Sequence, residues 1–156
     1  MKYFIILLLS LNLMASKVFI NADEFKTNMS ELLSTFSGNV HFKMQNNTIS
    51  ADKIVVHFTK DKKPNFYEII GNIKANMDLK GRKMSLVAGS MKYFPKQDKV
   101  ELRKNVVLKE KDKSSIIADE ILINLKTYDV QIKSDGVTPI SVTFEGFDIK
   151  TTKGDK

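Results

Sequence analysis

Few side chains in this sequence could carry out acid–base or metal chemistry. There is no cysteine, and His41 and His57 are the two histidines among 156 residues. Each lies at a polar position of an alternating segment, with no second histidine or carboxylate at the spacing that metal ligands show. We therefore expect both imidazoles to be solvated surface groups, and we predict no metal site.

Three aspartates occupy similar positions in different parts of the chain. Asp23, Asp52 and Asp119 each follow an alanine, and none is paired with another in the sequence. A general acid and a general base must both reach one substrate, so this distribution favours a structural role. The sequence also has no glycine-rich phosphate loop and no nucleophile elbow. We predict that the protein is not an enzyme and has no cofactor.

The segments around these aspartates form a repeat. Asn39, Asn72 and Asn105 are each followed by Val or Ile, and successive asparagines lie 33 residues apart. Each asparagine begins a unit with one alternating segment, a turn and a second alternating segment. A fixed period of this size is typical of repeat proteins, in which each unit buries its apolar face against its neighbours.

Alternation within the units predicts strands. Val40, Phe42 and Met44 are apolar, whereas His41 and Lys43 between them are polar. Side chains of a strand alternate between its two faces, so period-two patterning over most of the chain predicts an all-β protein. Between residues 28 and 36 the pattern is less regular, and we expect strand with at most one turn of helix there.

The apolar phase shifts at one place in each unit. After Ala51 it resumes three residues later at Ile54, and equivalent shifts follow Ala88 and Ala118. An odd shift would turn the apolar set outward, so its recurrence predicts a bulge or corner that keeps one face inward. We expect the aspartate at this corner to bond open backbone groups, and Gly89 of the second unit to adopt unusual dihedrals.

The N-terminus is typical of a secretory signal peptide. Lys2 precedes an apolar run over 3–13, and small residues follow at Ala15 and Ser16. The run is shorter than the roughly 20 residues of a spanning helix. We predict a signal peptide at 1–15, one domain at 16–147 and a flexible C-terminal tail at 148–156. Retention of the segment as a membrane anchor is the alternative.

Together, the Asn-Val openings, the Ala-Asp corners and the signal peptide resemble the OstA-like family of lipopolysaccharide-transport proteins. The resemblance covers 22–132, and it departs from the pattern at Gly89 and Lys104, where other copies have Asp and Gly. It implies an incompletely closed, twisted β-jellyroll that is built from repeats and has an apolar interior groove. It also implies a periplasmic lipopolysaccharide carrier that bridges the inner and outer membranes and meets transport components in both.

The inward set admits two interpretations: an ordinary core, or a groove for the acyl chains of lipid A, which the resemblance favours. Methionines in the set would adapt to irregular apolar ligands. The predicted lipid-binding groove consists of Val40, Phe42, Met44, Ile54, Val56, Phe58, Ile73, Met77, Met84, Leu86, Met91, Tyr93, Val106, Leu108, Ile121, Ile123 and Leu125.

Basic residues cluster at two predicted hairpin tips. The formal net charge is +7, and the clusters are Lys80, Arg82 and Lys83, then Lys109, Lys111 and Lys113. They could meet phosphate and acidic sugar groups of lipopolysaccharide, or they could keep a protein with open strand edges soluble. Secretion and the lack of a stacking aromatic platform argue against nucleic acid as a partner.

Three functions are compatible with the sequence. A periplasmic carrier is the first, and a membrane-anchored inner-membrane partner of the same transport system is the second. The third is a structural β-repeat module with a filled core and no ligand. In each case the strand edges of an open repeat remain available for pairing. Because the two ends differ, contact between them predicts head-to-tail self-association.

Overall fold

Ten strands form one antiparallel sheet in the computed structural model, which describes residues 17–79, 81–111, 113–137 and 139–144. The strands are β1 (Val18–Asn21), β2 (Glu24–Asn28), β3 (Leu33–Met44), β4 (Asn47–Phe58), β5 (Pro64–Leu79), β6 (Arg82–Phe94), β7 (Lys99–Glu110), β8 (Ser114–Asn124), β9 (Val130–Lys133) and β10 (Ser141–Phe144). A 3₁₀ turn at Pro95–Gln97 joins β6 to β7. The predicted signal peptide and the predicted tail lie outside the described residues.

Strands β3 to β8 are long, and each pairs with the next along the chain. At one edge β1 and β2 both pair with β3, and at the other edge β9 and β10 both pair with β8. Each edge is therefore a strand broken in two. The two edges do not pair with each other within the described chain, so the sheet is open.

A row of bulges crosses all six long strands. The pairing register shifts between β3 and β4 at Ser37/Val40, and corresponding shifts occur in each of the next four pairs. The row divides every long strand into a half that leads to a hairpin turn and a half that leads to a longer loop. We call the resulting sheets the hairpin layer, which includes β1 and β10, and the loop layer, which includes β2 and β9.

The two layers face each other across one apolar core. Phe42 in the hairpin half of β3 meets Tyr67 in the loop half of β5, with ring centroids 6.1 Å apart. These strands are not neighbours in the sheet, so the contact crosses the interior. Buried residues from both halves of the long strands belong to a single cluster. The predicted corner therefore folds the sheet onto itself and keeps one face inward throughout.

Backbone conformation explains the period of 33 residues. Asn39, Asn72 and Asn105 lie in the bulge row with φ of 44°, 46° and 50°. Each follows another residue of positive φ, which is Gly38, Gly71 or Lys104. Glycine and asparagine tolerate the left-handed region best. The asparagines are therefore in the middle of strands, where two left-handed residues form the bend, and do not begin separate strands.

Two of the aspartates hold this bend through side chains. The Asn39 amide donates to Asp23 Oδ2 over 2.8 Å, and the Asn72 amide donates to Asp52 Oδ2 over 2.9 Å. The prediction of backbone partners is therefore wrong for Asp52, whose partner is a side chain, and it stays a prediction for Asp119. A Cβ on Gly38 would lie 2.7 Å from Asp23 Oδ2, so glycine is required there for space as well as for dihedral.

The two departures from the repeat pattern are partners. Gly89 of β6 faces Lys104 of β7, and a Cβ on Gly89 would lie 2.8 Å from the Lys104 Cβ. Lys104 has the positive φ, 67°, whereas Gly89 does not. The prediction that Gly89 supplies unusual dihedrals is therefore wrong. It supplies space instead, because the facing residue carries a side chain.

One further prediction about the strands is confirmed. Residues 28–36 contain the end of β2, a turn and the start of β3, with no helix. The last strand of the sheet, β10, pairs with β8.

Candidate functional site: the interior between the layers

Every residue of the predicted groove faces the interior. The buried members are Val40, Phe42, Ile54, Val56, Ile73, Leu86, Met91, Val106, Leu108, Ile121 and Ile123. The half-buried members, packed against them, are Met44, Phe58, Met77, Met84, Tyr93 and Leu125. The structure thus brings the whole set onto one surface, and lipid binding by this surface stays a prediction.

Several interior residues are missing from the predicted groove. Tyr67, Ile69, Val100 and Leu102 are buried in the same cluster. They lie on the loop halves of β5 and β7, where one glutamate separates the two members of each pair. The period-two signal that identified the other members therefore also identifies these four.

Tyrosines line the interior toward the loop end. The Tyr67 and Tyr93 rings stack with centroids 5.8 Å apart. Burial raises the pKa of Tyr67 to about 12, and it also raises the pKa of Tyr93. Both hydroxyl groups are consequently neutral at physiological pH, and they add polar atoms to the interior without adding charge.

The hairpin end of the interior is marked by a carboxylate. Glu110 continues the inward phase of Val106 and Leu108, and its side chain is 5% exposed. Arg82 binds it in bidentate fashion, with Nε–Oε1 and Nη2–Oε2 distances of 3.0 and 2.6 Å. Hydrogen bonds from Arg82, reinforced by its charge, lower the pKa of Glu110. Sequence analysis missed this residue because a glutamate interrupts an otherwise apolar phase.

The histidines lie outside the interior and differ from each other. His41 is exposed on the outward face of β3, as predicted. His57 Nε2 lies 2.7 Å from Glu68 Oε1, and its ring stacks on Phe66 at 3.9 Å. The expectation of a solvated imidazole is therefore wrong for His57, whose partner comes from the neighbouring strand. In the described part of the chain, no cluster of three or more acidic or histidine side chains is arranged to hold a metal ion.

An open, folded-over sheet around an apolar interior defines a class of β proteins that suits lipid carriage. Within the described ranges, no helix has the length and hydropathy needed to span a bilayer. Residues 19–129 match the family described as LptA/(LptD N-terminal domain) LPS transport protein. The match covers most of the chain, and the chain belongs to this family.

A solved structure supports the same fold. The chain is similar to LptH from Pseudomonas aeruginosa, described as the LptA-homologous periplasmic component of the conserved lipopolysaccharide transport device. The TM-score is 0.72 at 11% sequence identity, over 82% of this chain and 94% of that one. At such low identity the likeness concerns the fold. No curated protein sequence matches the chain significantly.

These comparisons decide between the predicted functions. The resemblance to OstA-like proteins and the incompletely closed β-jellyroll are confirmed. The chain is an LptA-type protein of lipopolysaccharide transport, and the family is one of transport proteins. The membrane-anchored partner and the ligand-free module are not favoured.

Proposed function

We propose that this protein carries lipopolysaccharide through the periplasm with the acyl chains held between its two layers. The observation behind this proposal is an apolar interior, formed by both layers, in a sheet whose first and last strands do not pair. Burying acyl chains contributes roughly 0.8 kcal/mol per methylene. A few chains would therefore bind tightly without any specific headgroup contact.

Side chains fill the interior in this structure, so acyl chains must separate the layers. The bulge row joins the layers, and the broken edge strands leave both sides of the sheet open. Met44, Met77 and Met84 lie half-buried at the hairpin end. Methionine is flexible and polarisable, which suits residues that must repack as a chain enters.

The open edges also support an assembly. Among the described residues, no strand pairs with the outer side of the β1/β2 edge or of the β9/β10 edge. Because they are unlike, pairing one with the other gives an open stack and not a closed dimer. Such a stack would extend the apolar interior from one copy to the next and reach components in both membranes. A periplasmic location follows from this role and agrees with that of LptH.

Crosslinking from adjacent positions of one strand tests the groove. Leu86 of β6 points inward and is 1% exposed, whereas Val87 points outward and is 46% exposed. A photoreactive residue at position 86 should crosslink to added lipopolysaccharide, and the same residue at position 87 should not. Crosslinks at 87 but none at 86 would show surface binding and contradict the proposal.

Charge substitutions on β8 provide a matched pair. Ile123 is buried at 3% exposure, and Ile117 on the same strand is 43% exposed. Ile123→Glu should abolish lipopolysaccharide binding because a buried carboxylate loses water without a partner, and Ile117→Glu should leave binding unchanged. Phe58→Glu at the half-buried loop end tests the same point where folding is less at risk, and circular dichroism checks that each variant folds.

Assembly is tested separately at β10. The backbone N–H groups of adjacent residues in a strand point to opposite sides. Of Val142→Pro and Thr143→Pro, one therefore removes a donor on the outer side of β10, and the other removes a donor to β8. Sedimentation of the wild type should show a ladder of species that lengthens with concentration. The variant that loses the outer donor should keep the melting temperature of the wild type and show a shorter ladder of species. A single monomeric species of wild type at all concentrations would contradict stacking.

A further inference from the structure

The hairpin end of the interior opens into a cleft of about 840 Å³ that combines apolar and basic side chains. Met77 and Met84 line it and also pack against the core, so the cleft adjoins the interior. Lys83, Lys109 and Lys111 line the same cleft. Lys83 and Lys109 are on the outward phase of β6 and β7, opposite to Met84 and Glu110, so they reach the cleft from the outer side of the hairpin layer.

These three lysines have no acidic partner. None of their ammonium groups lies within ion-pair distance of a carboxylate of the described residues. In the loop layer, by contrast, Lys99 pairs with Glu101 at 2.7 Å and Arg103 pairs with Glu120 at 3.3 Å. Lys99 and Arg103 of the loop layer are therefore paired, whereas the three lysines of the cleft are not paired with any carboxylate of the described residues.

Both carboxylates of the cleft are occupied by other groups. Glu110 is bound by Arg82 and lies 3.6 Å from Lys113. Asp78 Oδ1 accepts the backbone N–H of Gly81 over 2.7 Å within the hairpin turn. The lining has four lysines, which include Lys113, against these two carboxylates, so the cleft keeps a net positive charge toward an entering ligand.

The cleft is also held in shape by the backbone. The Lys111 N–H donates to the Lys83 carbonyl over 3.1 Å, which ties the tip of one hairpin to the tip of the next. The lysines start from fixed positions on neighbouring strands. A preorganised set of cations loses less entropy when it binds an anion than a set on independent loops.

We propose that this cleft binds the phosphate groups of an amphiphile whose acyl chains occupy the interior, through Lys83, Lys109 and Lys111. The inference rests on the proposed function, because it assigns the headgroup end of the same ligand. It also places the phosphates at the hairpin tips and the acyl chains between the two layers.

The test compares two lipids and two double variants of the purified mature protein. The lipids are diphosphoryl lipid A and its enzymatically dephosphorylated form, each presented in the same detergent. Lys109→Gln/Lys111→Gln removes two charges of the cleft. Lys62→Gln/Lys63→Gln is the matched control, because it removes two lysines from the β4–β5 loop, which belongs to the loop layer and does not line the cleft.

The cleft variant should bind diphosphoryl lipid A roughly tenfold more weakly than wild type, while its affinity for the dephosphorylated lipid changes less than about twofold. The loss should shrink with added salt, because exposed charges are screened beyond about 8 Å at physiological ionic strength. The control variant should match wild type with both lipids.

Other outcomes separate the two proposals. If wild type binds neither lipid, the proposed function fails. If wild type binds both and the cleft variant loses neither or loses both equally, the groove stands and the phosphate site is overturned. Inorganic pyrophosphate is the third probe. If it binds wild type as tightly as diphosphoryl lipid A, the cleft is a site for a free anion, and the proposal of an amphiphile headgroup is overturned.

Discussion

We call each place where the bulge row passes between two neighbouring strands a crossing. Two of these crossings have the same backbone bend but opposite side-chain arrangements. Between β4 and β5, Asp52 faces Gly71 and Asn72, and the carboxylate accepts the Asn72 amide. Between β6 and β7 the glycine is on the other strand, where Gly89 faces Lys104. Each crossing therefore contains one residue without a Cβ, but on opposite sides of the ladder.

The difference shows what the bend requires. Gly71 and Lys104 both have positive φ, 82° and 67°, although a left-handed conformation costs a residue with a side chain roughly 1 kcal/mol or more. The lack of space between the facing residues is a stricter requirement than the dihedral preference, because neither crossing has side chains at both facing positions. The bend therefore tolerates a lysine in the left-handed region provided that a glycine faces it.

The largest effect is expected when a side chain is added to the β6–β7 crossing. Gly89→Asp should lower the free energy of unfolding by about 3 kcal/mol, because the new Cβ meets the Lys104 Cβ. Adding Lys104→Gly recreates the arrangement of Asp52 with Gly71 and should restore most of the loss. A double-mutant cycle in urea should give a coupling energy of about 2 kcal/mol. Additive effects would contradict the exchange of glycine across the ladder.

A smaller effect is expected at the β4–β5 crossing. Gly71→Ala should cost about 2 kcal/mol, from the left-handed dihedral and from contact with the Asp52 carboxylate. Gly81 is the control, since it has φ of 80° and no atom within 4 Å of an added Cβ. Gly81→Ala should cost about 1 kcal/mol from the dihedral alone. Equal losses in thermal melts would mean that Asp52 does not restrict the position.

The asparagines separate hydrogen bonding from dihedral preference. Asn72→Ala removes the amide bond to Asp52, whereas the Asn105 side chain makes no hydrogen bond to described residues. Both substitutions lose the tolerance of asparagine for positive φ. We expect Asn72→Ala to lower the free energy of unfolding by about 1 kcal/mol more than Asn105→Ala does. Chemical denaturation of the two variants side by side measures the difference.

The smallest effect is expected for the ion pair of Arg82 and Glu110, which joins β6 to β7 at the hairpin tips. Arg82 lowers the pKa of Glu110 below its ordinary value of 4.5. The pair therefore stabilises the fold above about pH 4.5, and this contribution is lost as pH falls through the lower folded pKa. Melting temperatures of wild type and Glu110→Gln should differ above pH 5 and converge toward pH 3. A constant difference would contradict the coupling.

Much of the interior was predictable from local pattern. Val40, Phe42, Ile121 and Ile123 follow period two, and burial agrees with the prediction because that period reports which side chains share a face. The phase shift after Ala51 also located the bend. Glu110 was not predictable in this way, because its burial depends on Arg82, which lies 28 residues earlier on the neighbouring strand.

Pairs across the ladder were the main source of error. The prediction for Gly89 considered only its own backbone dihedrals, whereas the glycine is required by the side chain of Lys104 on the next strand. His57 looked solvated, and its environment is formed by Phe66 and Glu68 across the β4–β5 ladder. Such partners depend on strand register, which the residues of one strand do not specify.

The sequence by itself determined the all-β class, the inward phase and the place of the bend, because these depend on side-chain period and on residues such as Asn39 and Asn72 that tolerate positive φ. The tertiary structure alone decided which residue faces each bulge, that the layers meet through Phe42 and Tyr67, and that the sheet stays open. These features depend on register and closure between strands far apart in the chain, and no local pattern contains that information.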